Sequence, residues 1–197
     1  MFRYPDKPSS QLARAGLADL PKLYIAELKL DGWRCVIERT IAGLTFTSRH
    51  NKPIPISDAL ADELLWVADL AKLPEGTLLD AEWLARRPAA RHESLWIFDI
   101  MQFGEAPFWG RSTQERLKLL RCIVPGEIVA PTAGGDYADF FDAMQDRGDA
   151  EGIVLKRRDA RYIGSFRGSA LNPGWLKCKW RGGEDGRTAI GRELATA

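Results

Sequence analysis

Apolar and polar positions alternate along much of the chain, and the period changes at a few marked places. The stretch "LYIAELKL", residues 23–30, reads as a β-strand. Asp31-Gly32 follows as a turn, and "WRCVIERT" predicts a second strand of alternating character. "IAGLTFTSRH" supplies a turn at Gly43 and a third strand, so these three are expected to form an antiparallel meander. "GTLLDAEWLA" and "SLWIFDIMQF" predict two more strands, and "EGIVLKRR" and "GWLKCKW" the last two.

A period near 3.6 appears in three places. "SDALADELLWVADLAKL" is the clearest helix, with Ser57 as its N-cap and Leu60, Leu64, Val67 and Leu70 or Ala71 near helical spacing. "STQERLKLLRCI" opens on a capping box from Ser112 to Glu115. "DYADFFDAMQDRG" predicts a helix closed by Gly148. Residues 1–21 read as an extended lead-in punctuated by proline, with one short helical patch in "SSQLARAGLADL". Strands and helices in this order, with short links, predict an α+β domain of largely antiparallel sheets.

Composition narrows the picture. The 197 residues, 45% of them hydrophobic, suit one globular domain or a domain with a small appendage. Residues 1–180 are expected to form that domain, and the polar, Gly-rich residues 181–197 a tail or linker. The formal net charge is +1, so any nucleic-acid contact must come from a local patch. Cys35, Cys122 and Cys178 are unevenly spaced and lack a C-x-x-C pair, which argues against a disulfide framework or zinc knuckle and fits a reducing cytoplasm. The first residues have no apolar core of signal-peptide length, and no window approaches the ~18 apolar residues of a membrane span. His50 and His92 are the only histidines, which leaves little room for a Ser-His-Asp triad or a His-rich metal site.

Charges then stand out on the strands. Glu27 and Lys29 are two apart and share a face, as do Asp80 and Glu82, and Lys177 and Lys179 with Cys178 turned away. A charged strand face is ordinarily the solvated face. Lysine pairs, single glutamates and arginines on several strands, taken together, make a site of mixed sign. Such a site suits a triphosphate with a divalent metal.

"KLDGWR", residues 29–34, resembles motif I of the covalent nucleotidyltransferases, in the K-x-D-G-x-R form of ATP-dependent DNA ligases. "TSRHNKPIP" is similar to the element that follows it. "LLDAEW" resembles motif III, with Ala81 where the family has Gly. "LWIFDIM" resembles motif IIIa, "EGIVLKRRDARY" motif IV and "WLKCKW" motif V, in the family's order. The resemblance covers roughly residues 21–180. It implies an ATP-grasp-like fold with the nucleotide pocket between the sheets. It also implies a three-step reaction. A lysine takes AMP from ATP, AMP passes to a 5′-phosphate at a break, and the 3′-hydroxyl expels AMP.

Roles follow from matching positions. Lys29 matches the nucleophile. A free lysine has a pKa near 10.4, and nearby positive charge favours the neutral amine that attacks. Lys177, Lys179 and a bound Mg²⁺ (or Mn²⁺) would supply that charge, and the two lysines would hold the α-phosphate. Glu151 matches the metal ligand. Glu82 resembles the glutamate that accepts from a ribose hydroxyl, with a structural ion pair as its alternative. Phe98 resembles the aromatic that stacks on adenine, with a plain core residue as its alternative. Glu27 would read the adenine amino group. Arg34 and Arg49 would touch the ribose or the phosphate at the break, where the planar guanidinium suits phosphate oxygens. Asp31 is expected to shape the turn, Asp80 is unassigned, His50 is a bystander, and Trp33, Trp175 and Trp180 pack, with Trp33 the nearest to substrate.

ATP rather than NAD is expected, because too few residues precede Lys29 for a nicotinamide-gripping module. Too few follow Trp180 for the OB-fold that relatives carry, so the expectation is either an excised catalytic domain, with the OB-fold elsewhere or in a partner protein, or an unusually small enzyme. The expected function is an ATP-dependent DNA ligase catalytic domain acting on nicked duplex DNA, as a monomer in the cytoplasm of bacterial or viral origin. The alternative is an RNA ligase lacking an OB-fold. A capping guanylyltransferase fits Arg34 poorly, and a domain that only binds fits the intact Lys29, Glu151, Lys177 and Lys179 poorly.

Overall fold

A computed structural model of the chain describes residues 4–85, 93–133, 135–166 and 168–180, so the expected tail and His92 lie outside the described residues. In chain order the elements are β1 Lys7–Gln11, β2 Tyr24–Leu30, β3 Trp33–Thr40, β4 Gly43–Ser48, α1 Asp58–Leu70, β5 Leu78–Leu84 and β6 Ser94–Phe103. There follow β7 Ala106–Pro107, α2 Thr113–Ile123, β8 Thr132–Ala133, α3 Tyr137–Ala143, β9 Ala150–Arg157 and β10 Leu171–Lys179.

The strands form two five-stranded sheets, β1-β10-β9-β2-β8 and β4-β3-β5-β6-β7. Every pairing is antiparallel except β1 with β10. The sheets pack face to face: Val36 and Met101 from the second meet Trp175 from the first, with Tyr162 beside them, in one buried cluster. Leu28 and Leu30 meet Leu84 in another. The outer face of the second sheet is covered by α1 and α2, where Leu64, Ala68, Leu117 and Leu120 pack on Ile37, Leu79 and Ile97. The outer face of the first is covered by α3, where Tyr137 and Phe141 pack on Ala26, Ile153 and Leu155. This is the α+β arrangement expected from the order of elements.

Both predicted caps are present. The Ser57 hydroxyl accepts from Leu60 N at 3.3 Å and starts α1. The Ser112 hydroxyl accepts from Glu115 N at 3.3 Å, while the Glu115 carboxylate accepts from Ser112 N at 2.9 Å. That exchange satisfies two end amides that the helix itself leaves open.

Three expectations need correction. The first three long strands are not one meander. β3 and β4 form the hairpin, but β2 lies in the other sheet, between β9 and β8. Asp31-Gly32 is therefore a crossing between sheets, and it runs so close to β5 that a Cβ on Gly32 would lie 2.5 Å from the Trp83 carbonyl oxygen. The patch "SSQLARAGLADL" begins as β1, which finds a parallel partner in β10, and only Arg14–Leu17 is helical, as one 3₁₀ turn. Helix α3 ends at Ala143 rather than near Gly148; turns take over, with Gln145 N bonding Asp142 O and Arg147 N bonding Met144 O. The chain must turn there because Met144 packs against the Leu30–Ala150 cluster at the head of β9.

Candidate active site between the sheets

A cleft opens between the two sheets. The first sheet contributes Glu27 and Lys29 of β2, Lys156 of β9 and Trp175 of β10; the second contributes Arg34 of β3, Glu82 of β5 and Phe98 of β6. The crossing at Gly32 explains the placement: it puts Lys29 on one wall and Arg34 on the other although only four residues separate them.

Lys29 stands beside a compact set of charges. Its ammonium is ion-paired with Glu151, whose other oxygen accepts from Lys179 at 2.7 Å. Simple alternation would turn Glu151 to the same side as Ile153 and Leu155, which lie in the α3-facing core. A bulge prevents this. Lys29 pairs with Gly152 and Leu30 with Ala150, so Glu151 is an extra residue in β9 and turns toward Lys29. Gly152 allows the bulge, with φ at +156° and the Cys178 carbonyl oxygen only 2.0 Å from where a Cβ would be. Burial raises the Glu151 carboxyl, but Lys29 and Lys179 outweigh it and hold it below its ordinary range. Burial, Lys179 and Lys29 together push the Lys177 ammonium down.

The inner end of the cleft is a network of buried charge. The Glu27 carboxylate pairs with Lys156 at 2.7 Å, and its second oxygen, Oε1, has no hydrogen-bond partner among the described residues. Burial pushes the Glu27 carboxyl above its ordinary range, further than Lys156 pulls it back. Phe98 lies beneath two cations: Arg34 is 4.6 Å and Lys156 5.1 Å from the ring centre. Arg34 itself is gripped by both oxygens of Asp80 and donates to the Asp6 carbonyl at 3.0 Å. Tyr162 completes the grip by donating to Asp80 at 2.6 Å. Glu82 accepts from Gly32 N at 3.2 Å, and burial pushes its carboxyl up to about 7 against the pull of Arg34 and Lys29.

Of the residues expected at the site, Glu27, Lys29, Arg34, Glu82 and Phe98 line the cleft, and Glu151, Lys177 and Lys179 stand beside Lys29. Arg49 is not brought there; it sits on the exposed turn after β4. Arg34 lines the cleft, but its guanidinium is committed to Asp80, which the sequence reading left unassigned. Trp33 packs edge to face on Trp83 and does not line the cleft, whereas Trp175 does. Sequence reasoning missed Lys156, Asp99, Arg116 and Asp6. The available signal was a charge inside an apolar strand run, as in "WIFDIM" and "GIVLK", which a solvated face does not explain.

Among the described residues, no group of three or more His, Cys, Asp or Glu side chains stands where it could hold a metal ion. A magnesium ion does not need one: it takes one or two carboxylates, keeps several waters and uses substrate phosphates. Glu151, an isolated carboxylate between two lysines, fits that role. No helix among the described residues is long and apolar enough to cross a membrane.

No protein-family model matches the chain. A curated relative is the multifunctional non-homologous end joining DNA repair protein LigD of Mycobacterium tuberculosis, 28% identical over 188 residues. The match takes in 83% of this chain and 24% of that protein, so the chain spans about a quarter of the relative's length. Among solved structures, a mycobacterial DNA ligase D complexed with ATP and MES is 22% identical with a TM-score of 0.68, covering 91% of this chain and 61% of that one. An archaeal ATP-dependent RNA ligase is 17% identical with a TM-score of 0.62, covering 90% and 48%. The two packed, mostly antiparallel sheets, the cleft between them and these likenesses agree: the chain has the fold of the nucleotidyltransferase domain of ATP-dependent ligases.

Proposed function

We propose that this chain is the adenylation domain of an ATP-dependent DNA ligase that seals nicks in duplex DNA. The observation that carries this reading is Lys29 on the wall of the cleft, its ammonium held by a carboxylate that also holds Lys179. That is the arrangement a lysine nucleophile facing a phosphate requires: an amine fixed in position beside cationic groups for the oxygens under attack. In the first step Lys29 Nζ, having given up its proton, forms a bond to the α-phosphorus and pyrophosphate leaves with the electron pair. In the second, the 5′-phosphate at the nick takes the AMP and Lys29 is regenerated. In the third, the 3′-hydroxyl attacks and AMP departs.

Glu27 Oε1, buried and without a partner, offers an acceptor to the adenine amino group. Phe98 offers a ring for the base, and Glu82 an oxygen for a ribose hydroxyl. Lys177 and Lys179 hold the α-phosphate. Glu151 would hold the magnesium ion, which would supply positive charge to the phosphates.

The test is labelling with radioactive ATP, and separately GTP, followed by denaturing electrophoresis. Acid-labile label from ATP that disappears in Lys29→Ala is the expected result; label that persists in Lys29→Ala overturns the nucleophile, and label from GTP alone overturns the ligase. The likeness to an archaeal RNA ligase, with a TM-score close to that of the DNA ligase, keeps a second reading: sealing of RNA. Nicked DNA and nicked RNA compared as substrates separate the two.

A further inference from the structure

A buried chain of alternating charge ends at the inner side of the cleft. It starts on α2 at Arg116, which donates to both oxygens of Asp99 at 2.7 and 3.0 Å. Asp99 on β6 also accepts from Lys156 at 3.1 Å. Lys156 on β9 reaches Glu27 on β2 at 2.7 Å and the Phe98 carbonyl oxygen at 3.2 Å. An ammonium has three donors, so Lys156 is fully committed. All four side chains belong to residues 2% exposed or less. Glu27 alone retains an unused atom, Oε1.

We infer that Lys156, backed by Asp99 and Arg116, is a specificity-determining positioning residue: it keeps Glu27 an ionised acceptor, so that the cleft selects a purine with an amino group at position 6 over one with a carbonyl there. This rests on reading the cleft as the ATP site. The chemistry is simple. An ionised carboxylate only accepts hydrogen bonds. The amino group of adenine satisfies it. The carbonyl oxygen of hypoxanthine or guanine would oppose it, acceptor against acceptor, and a buried unpaired acceptor is what makes such rejection strong. A protonated Glu27 would carry a donor as well and would tolerate either base. Burial favours that protonated form, Asp99 adds to it and the carboxyl is raised on balance; the Lys156 ammonium, 2.7 Å away, is the main charge that opposes the rise. Asp99 and Arg116 keep Lys156 in place, since an unpaired lysine at this depth would be driven to lose its proton.

The test compares ATP with inosine triphosphate, which has a carbonyl at position 6, in equilibrium titrations followed by tryptophan fluorescence. The native protein should favour ATP. Lys156→Met should reduce that preference at least about tenfold, roughly 1.4 kcal/mol. Lys156→Gln, which keeps a donor and loses the charge, should do the same, and Lys156→Arg should retain most of the preference. Glu27→Gln should reduce it too, and adding Lys156→Met to Glu27→Gln should change the ratio no further. Any one folded neutral variant suffices for the comparison. A preference unchanged in Lys156→Met or Lys156→Gln overturns the inference, as does a native protein that binds both nucleotides equally. Covalent labelling in parallel separates the two readings. ATP selection without a covalent adduct removes the ligase reading and leaves the inference standing; an adduct with an unchanged ratio removes the inference alone.

Discussion

Phe98 and Glu82 show how two side chains on one sheet acquire different tasks from their surroundings. The Phe98 ring is half-buried, with Arg34 and Lys156 within about 5 Å of its centre. If it stacks on adenine, Phe98→Ala should weaken ATP binding by about 1–3 kcal/mol, the usual worth of a base on an aromatic ring. A fluorescence titration with unchanged affinity and a lowered melting temperature would instead make Phe98 a core residue. Glu82 is held at about 7 by burial, against an ordinary value of 4.5. Its folded state thus binds a proton more tightly than the unfolded chain. The resulting stability is full below about pH 4.5 and is lost as pH rises through about 7. Glu82→Gln should flatten that part of the profile, so melting temperatures at about pH 5 and about pH 8 should differ less in the variant than in the native protein.

At the scale of elements, the bulge in β9 decides whether the Glu151 carboxylate, the proposed metal ligand, reaches Lys29, the proposed nucleophile. It depends on Gly152, whose missing side chain lets β9 run directly against the Cys178 carbonyl of β10. Gly152→Ala places a methyl group where no room exists and at a backbone angle an L-residue resists. It should cost at least about 1–3 kcal/mol, read from urea unfolding, as an overpacked site does. It should also part Glu151 from Lys179 and reduce lysyl-AMP formation more than ATP binding. Equal stability and full labelling in Gly152→Ala would show that β9 tolerates a regular pairing here.

At the scale of the whole molecule, the two sheets and their helices frame the cleft, and the N-terminal segment from Tyr4 onward is part of that frame. Asp6 is fully buried and accepts from Ile163 N, Gly164 N and the Asn172 amide at 2.6–2.8 Å, which ties the segment to the loop before β10. A formal net charge of +1 means that attraction to a polyanion must come from the few lysines and arginines near the cleft mouth rather than from a general field. DNA affinity should therefore be modest and fall with salt, with a slope of log affinity against log salt set by a small number of phosphate contacts, about 0.9 per contact. Binding independent of salt between about 50 and 200 mM would exclude a phosphate-led grip.

Local pattern carried a good part of this. Alternation in "AELKL", "LLDAEW" and "WLKCKW" placed the paired charges on common strand faces, and Ser57 and Ser112 marked helix starts, because side-chain direction and capping depend on neighbours within a few residues. The run of motif-like segments pointed to Lys29, Glu27, Glu82 and Phe98, and all four line one cleft. Other features came from contacts between distant parts of the chain. Asp31-Gly32 looks like a hairpin turn until β2 finds its partners in β9 and β8, more than 100 residues away. Glu151 reads as facing the α3 side until a register shift against β2 turns it to Lys29, 122 residues distant. Arg34 looks free to meet a phosphate until both oxygens of Asp80 accept from its Nε and Nη2, and Lys156 looks like the end of a strand until Glu27 and Asp99 close around it. A strand's face is determined by its own sequence; which strand it pairs with, where the register slips and which opposite charge a buried group meets are determined by packing the whole chain at once, because each of those contacts is stable only when the others exclude water from it.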